Sequence, residues 1–118
     1  MKKPHLLSML LVVFLLMFSF CKKVDVPKDT PGCIKDKIKQ IQKDEVRNPP
    51  AKVYKCVYEG QTVFYFPSYC CDIPGVLYDT NCNLICQPDG GLTGDGDGTC
   101  TDFFDERTNV ELIWEDDR

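Results

Sequence analysis

Eight cysteines in a chain of 118 residues restrict its fold and its compartment more than any other feature. A domain of this size buries only a modest apolar core, so cysteines at this density serve as staples in an oxidising, exported setting. Cys21 stands apart from Cys33, Cys56, Cys70, Cys71, Cys82, Cys86 and Cys100 because it directly follows the leader.

Lys2 and Lys3 form a positive start, and Leu6 to Phe20 is an uncharged run of fifteen residues. That length suits an export signal and falls short of the roughly 20 residues that span a bilayer. The region has no Ala-x-Ala-like cleavage site. Instead Cys21, followed by Lys22 and Lys23, resembles the box at which bacterial lipoproteins are cut and acylated. The expected organisation is a signal peptide over 1–20, a lipidated tether over 21–32 and one domain over 33–118. Two or three acyl chains at about 0.8 kcal/mol per buried methylene would hold the protein at the membrane, leaving it exported and anchored to the outer membrane or cell envelope.

Without Lys2 and Lys3, 12 basic side chains face 18 acidic ones, a net charge of −6 that speaks against a nucleic-acid partner. Residues 22–58 carry ten basic and five acidic side chains, and residues 59–118 carry two and thirteen. Mutual attraction of the two halves within one fold is the simplest reading of this asymmetry.

Thr30 as N-cap and Pro31 at the first helical position open a helix whose Ile34, Ile38 and Ile41 share one face. Asn48, Pro49 and Pro50 stop it. Val53 to Tyr58 and Gln61 to Phe66 flank Glu59-Gly60 and read as a tight hairpin. Its register puts Val53, Val57, Phe64 and Phe66 on the helix side. Tyr54, Cys56, Tyr58, Val63 and Tyr65 lie opposite, a row read as cross-strand packing in preference to a sugar platform. Val76 to Tyr78 and Asn83 to Cys86 form a second, short hairpin, and Val110, Leu112 and Trp114 alternate as a closing strand. Five of the nine residues from Gly90 to Gly98 are glycine, so Asp89 to Asp102 reads as loop. The expected fold is α+β: one N-terminal helix on a small, mainly antiparallel sheet, stapled by disulfides, with a long Gly/Asp-rich loop.

With Cys21 lipidated, seven cysteines remain. Cys56, in mid-strand, is the expected free thiol; Cys33, Cys70, Cys71, Cys82, Cys86 and Cys100 supply three bridges whose connectivity the sequence leaves open. Adjacent Cys70 and Cys71 are expected to reach different partners, pinning their loop from both sides. A zinc site is the rival reading, with Cys82-x-x-x-Cys86 as its weak signature and no mature histidine to complete it.

The absence of histidine from the mature chain also removes Ser-His-Asp and Cys-His catalysis, and no phosphate-binding loop or dinucleotide fingerprint is present. Asp89, Asp95, Asp97 and Asp102 are candidate Ca²⁺ ligands, because oxygen donors in a glycine-rich loop can wrap a hard cation. An EF-hand is excluded: with Asp95 as position one, the required sixth-position glycine is Cys100. No other cofactor is implied.

Asn48-Pro49-Pro50-Ala51, the aromatic hairpin, Cys70-Cys71-Asp72, Leu77-Tyr78-Asp79 and the run from Cys86 through Pro88-Asp89-Gly90-Gly91 to Asp97-Gly98-x-Cys100 together resemble a family of small lipoproteins of Bacteroidota-type bacteria that carries a domain of unknown function. The resemblance covers roughly 33–118. It implies an envelope location and a disulfide-bearing domain, with no activity or ligand to transfer.

The resulting expectation is a lipid-anchored, non-enzymatic binding or structural module that meets a protein or glycan partner through its acidic loop. Two alternatives stand beside it. One is an exported protease inhibitor, on the faint similarity of Tyr78-Asp79-Thr80-Asn81-Cys82 through Cys86 to the Kazal pattern. The other is a carboxylate-dependent hydrolase, which needs two acids about 5 to 9 Å apart in a cleft.

Overall fold

The computed structural model describes residues 24–118, so the expected export signal over 1–20 and Cys21 lie outside the described residues. Among the described residues no helix is long and apolar enough to cross a membrane. Helix α1 (Gly32–Lys43) buries Ile34, Ile38 and Ile41 and turns its lysines outward. It begins one step later than a Thr30 cap requires. Pro31 occupies the cap position, and its carbonyl accepts from the N–H groups of Ile34 and Lys35 at 3.0 and 3.1 Å. Thr30 is buried instead, its N–H donating to the Pro27 carbonyl at 3.0 Å. Val24 and Val26 also pack on the core, so the stretch read as tether is partly domain.

Strands β1 (Lys52–Tyr58), β2 (Gln61–Phe66), β3 (Val76–Tyr78), β4 (Leu84–Cys86) and β5 (Thr108–Glu115) form one antiparallel sheet in the order β4-β3-β2-β1-β5. The β1–β2 register pairs Tyr58 with Gln61 across Glu59-Gly60, as the two-residue turn requires. Alternation then builds two cores. Under α1 lie Val53, Phe64, Ile113 and Trp114 with the three isoleucines. On the other face Cys56, Tyr58, Val63, Tyr65, Leu77 and Cys86 close over Phe103.

That second face is covered by the short helix α2 (Phe103–Glu106), an element absent from the sequence reading. Phe103 is fully buried and edge-on to Tyr58, with ring centroids 5.3 Å apart. The closing strand also departs from simple alternation. Val53 pairs with Trp114 but Tyr54 pairs with Leu112, so Ile113 is an extra, bulged residue. Ile113 and Trp114 are therefore both buried, while Val110 and Leu112, expected to face inward, are 47% and 46% exposed. A bulge changes which parity of residues faces the core, and nothing in β5 alone announces it.

After Trp114 the chain stays on the domain. Asp116 is buried and accepts from the Arg118 guanidinium at 2.7 and 2.9 Å. The same guanidinium donates to the carbonyls of Gln42 and Asp44 at 2.8 and 3.0 Å, capping the otherwise unpaired C-terminal end of α1. The hydrogen bond from Arg118 holds the Asp116 carboxyl below its usual range. The charge asymmetry contributes less than expected. Of the three ion pairs among the described residues, only the exposed Lys52–Glu115 pair at 3.9 Å joins the basic front to the acidic back.

Candidate functional site

The Gly/Asp-rich loop is a structural cover, and three of its four candidate carboxylates are engaged separately. Asp89 accepts from the Tyr65 hydroxyl at 2.7 Å, and Asp102 from the Tyr58 hydroxyl at 2.5 Å. Burial first, and then Asp89, raise the Tyr65 phenol well above its ordinary value; for Tyr58 the hydrogen bond to Asp102 is the main cause. Both tyrosines therefore act as hydrogen-bond donors that latch the loop onto the sheet. Asp97 accepts from the Gln87 and Thr99 N–H groups at 3.0 and 2.9 Å and from the Thr99 hydroxyl at 2.6 Å, which keep its carboxyl below the usual range. Asp95 serves through its backbone, its N–H donating to the Thr93 hydroxyl at 3.2 Å.

The close approach of the loop to the end of β4 needs glycine at position 96. Gly96 has φ +64°, and a Cβ there would sit 1.8 Å from the Gln87 carbonyl oxygen. Any side chain at that position would push the loop off β4. Of the four candidate Ca²⁺ ligands, Asp89, Asp97 and Asp102 bond to different partners and the Asp95 carboxylate to none, and among the described residues no group of three or more acidic, cysteine or histidine side chains can hold a metal ion. Asp89 and Asp102 are drawn to tyrosine hydroxyls on the sheet and Asp97 to Gln87 and Thr99, so the carboxylates do not converge.

The cysteines are arranged in two bridges, Cys33–Cys82 and Cys86–Cys100. The first ties the opening turn of α1 to the β3–β4 turn; the second ties β4 to the turn before α2. Among the described residues the expected third bridge is absent. Cys70 and Cys71 are exposed free thiols at the tip of the segment between β2 and β3, and the four cysteines they were expected to reach have paired among themselves. Cys56 is free and buried, and burial pushes its thiol up despite nearby Arg107, so it is packing material and not a nucleophile. The Tyr78–Cys86 stretch is the β3–β4 hairpin. Its turn is organised by Asp79, whose carboxylate accepts from the Asn81 and Asn83 N–H groups at 2.9 Å each.

The feature with an unassigned purpose is a cleft of about 260 Å³ between the C-terminal half of α1 and the segment after β2. Phe66, Tyr69, Ile73 and Tyr78 supply apolar walls, and Phe66 meets Tyr78 edge-on at 5.5 Å. Two cations stand at its walls: the Lys37 ammonium lies 4.1 Å from the Tyr78 ring centroid and the Arg47 guanidinium 3.7 Å from that of Tyr69. Stacking on a π-face fixes each cation while leaving N–H groups free to donate. Neither has a carboxylate within ion-pair distance among the described residues, although Asp44 also lines the cleft.

The sequence reading gave no site role to Lys37, Arg47 or Tyr69, and it placed Tyr78 only in a strand and in the Kazal-like stretch. One signal was present. Tyr69 is an aromatic residue in a proline- and cysteine-bounded loop with no strand partner, and such a side chain needs a surface to rest on.

No curated protein and no solved structure matches this chain. Its family is nonetheless shown, because residues 39–116, from the second half of α1 through β5, match the profile of a domain of unknown function: the chain belongs to the DUF6970 family.

Proposed function

We propose that the protein is a lipid-anchored module of the bacterial cell envelope, held through Cys21, that binds a small organic anion with a flat apolar body in the cleft between α1 and the segment after β2. The observation that carries the binding part is the pairing of each cation with an aromatic wall, Lys37 with Tyr78 and Arg47 with Tyr69. Aromatic faces take an apolar ring, and the free N–H groups of two cations take a carboxylate or similar charge. The cleft lies just under the roughly 300 Å³ where pockets for drug-sized ligands begin, which fits a single ring.

Support for the anchor comes from the Lys2-Lys3 start, the fifteen-residue apolar run and Cys21. The module is non-enzymatic in this reading because the carboxylates of its acidic loop hold the fold and its cleft offers cations and rings with no nucleophile–base pair.

The test is an NMR titration of the domain with benzoate, and with benzyl alcohol as the uncharged control. Benzoate is expected to shift the amides around Lys37, Arg47, Tyr69 and Tyr78, with benzyl alcohol binding much more weakly. Arg47→Gln is expected to weaken benzoate roughly tenfold, the loss of one charge-assisted contact. Equal binding of both probes, or shifts confined to the Asp89–Asp102 loop, would refute the reading.

A further inference from the structure

Cys70 and Cys71 are adjacent, exposed thiols in a protein whose other cysteines in the 33–118 domain are committed: four are bridged and Cys56 is buried. Cys71 takes φ +58° at this exposed turn, and its side chain is the main cause that raises the Cys70 thiol above its ordinary value. The turn that carries them is closed by one backbone bond, the Ile73 N–H donating to the Cys70 carbonyl at 3.1 Å. Both side chains lie outside the two cores. Nothing in the packing of the sheet needs two thiols here, and a serine pair would fill the exposed turn equally well.

We infer that Cys70-Cys71 is a two-electron thiol–disulfide exchange site that reacts with a low-molecular-mass disulfide and closes a ring between neighbouring residues. The reaction balances in two steps. The Cys71 thiolate attacks one sulfur of the small disulfide, its S–S bond breaks, and the first small thiol leaves with the proton that Cys71 gave up. The Cys70 sulfur then attacks the Cys71 sulfur, forming the Cys70–Cys71 bond, and the second small thiol leaves with the proton from Cys70. Two protein thiols are oxidised, and one small disulfide is reduced to two thiols.

Either thiol can make the first attack, with the other resolving, since both are exposed. Reversibility follows from geometry. Adjacent Cα atoms are about 3.8 Å apart, closer than the roughly 4.4 Å at which unstrained disulfides begin. A ring closed across one peptide is therefore strained and exposed, the class of disulfide that reopens readily. The inference stands apart from the identity of the cleft ligand.

The test uses the full chain with its two bridges intact, incubated with glutathione disulfide and read by intact mass and by maleimide labelling of native thiols. Within the 33–118 domain the wild type is expected to lose two hydrogens, keep no glutathione and go from two labelled native thiols to none. Cys70→Ser and Cys71→Ser each remove the resolving partner, so each is expected to retain one glutathione as a stable mixed disulfide. A wild type that retains glutathione, or that forms disulfide-linked dimers in place of the ring, would overturn the inference. So would unchanged labelling.

Discussion

Replacing both Cys33 and Cys82 with alanine is expected to lower the melting temperature by some 15 to 30 °C. The bridge closes a loop with a sequence separation of 49, and its Cα atoms lie 6.1 Å apart. Chain entropy assigns a closure of that length about 4 kcal/mol. A domain of this size has about 5 to 15 kcal/mol in all, and each kcal/mol corresponds to roughly 4 to 8 °C. The bridge also joins two parts that share little else, since the N-terminal turn of α1 meets the β3–β4 turn at Cys33 and Cys82 on the margin of the first core. Thermal melts of the double variant beside a Cys86→Ala, Cys100→Ala double variant rank the two. The second bridge spans only 14 residues and is expected to contribute about 3 kcal/mol.

Phe103→Ala is expected to cost about 3 to 5 kcal/mol, the range for removing a fully buried phenylalanine ring. The ring is completely buried and sits 5.3 Å from Tyr58 and 5.4 Å from Tyr65, so its loss opens a void beneath both tyrosine latches. The effect is expected to be local as well as global. Cys56, in the same cluster, should become alkylatable under native conditions, and denaturant unfolding should show the lower stability. A variant of wild-type stability with Cys56 still protected would mean that α2 is not the cover of the second core.

The elements with local signatures were legible in the sequence. Ile34, Ile38 and Ile41 mark the buried stripe of α1 by spacing alone, and Glu59-Gly60 fixes the register that sorts Val53 and Phe64 from Cys56 and Tyr65. The parts that were not legible depend on distant partners. Ile113 becomes a bulge only against β1, and Arg118 becomes a helix cap only because β5 returns to the end of α1. The acidic loop shows the same limit from the other side. Asp89 and Asp102 look like free ligands in sequence because the hydroxyls that claim them, on Tyr65 and Tyr58, are 24 and 44 residues away.

The cleft was hidden for a related reason. Its cations come from α1 and the following turn, its rings from β2, β3 and the segment between them, and no contiguous motif contains both. Cys70 and Cys71 were misjudged on arithmetic. Counting to an even number suggests three bridges, whereas adjacency at an exposed turn keeps both sulfurs away from the pairs that pin α1 and β4.

The proposed acylation of Cys21 stands beside two bridges that hold the domain and a thiol pair left outside them. Mass spectrometry of the protein recovered from membranes of a lipoprotein-processing host, mapped without reduction, tests all three together. The predicted result is a chain beginning at an acylated Cys21, with Cys33 linked to Cys82, Cys86 linked to Cys100, and neither Cys70 nor Cys71 joined to any of those four. A soluble, unmodified chain beginning elsewhere would contradict the anchor, and a bridge from Cys70 or Cys71 to Cys33, Cys82, Cys86 or Cys100 would contradict the fold and the exchange site together.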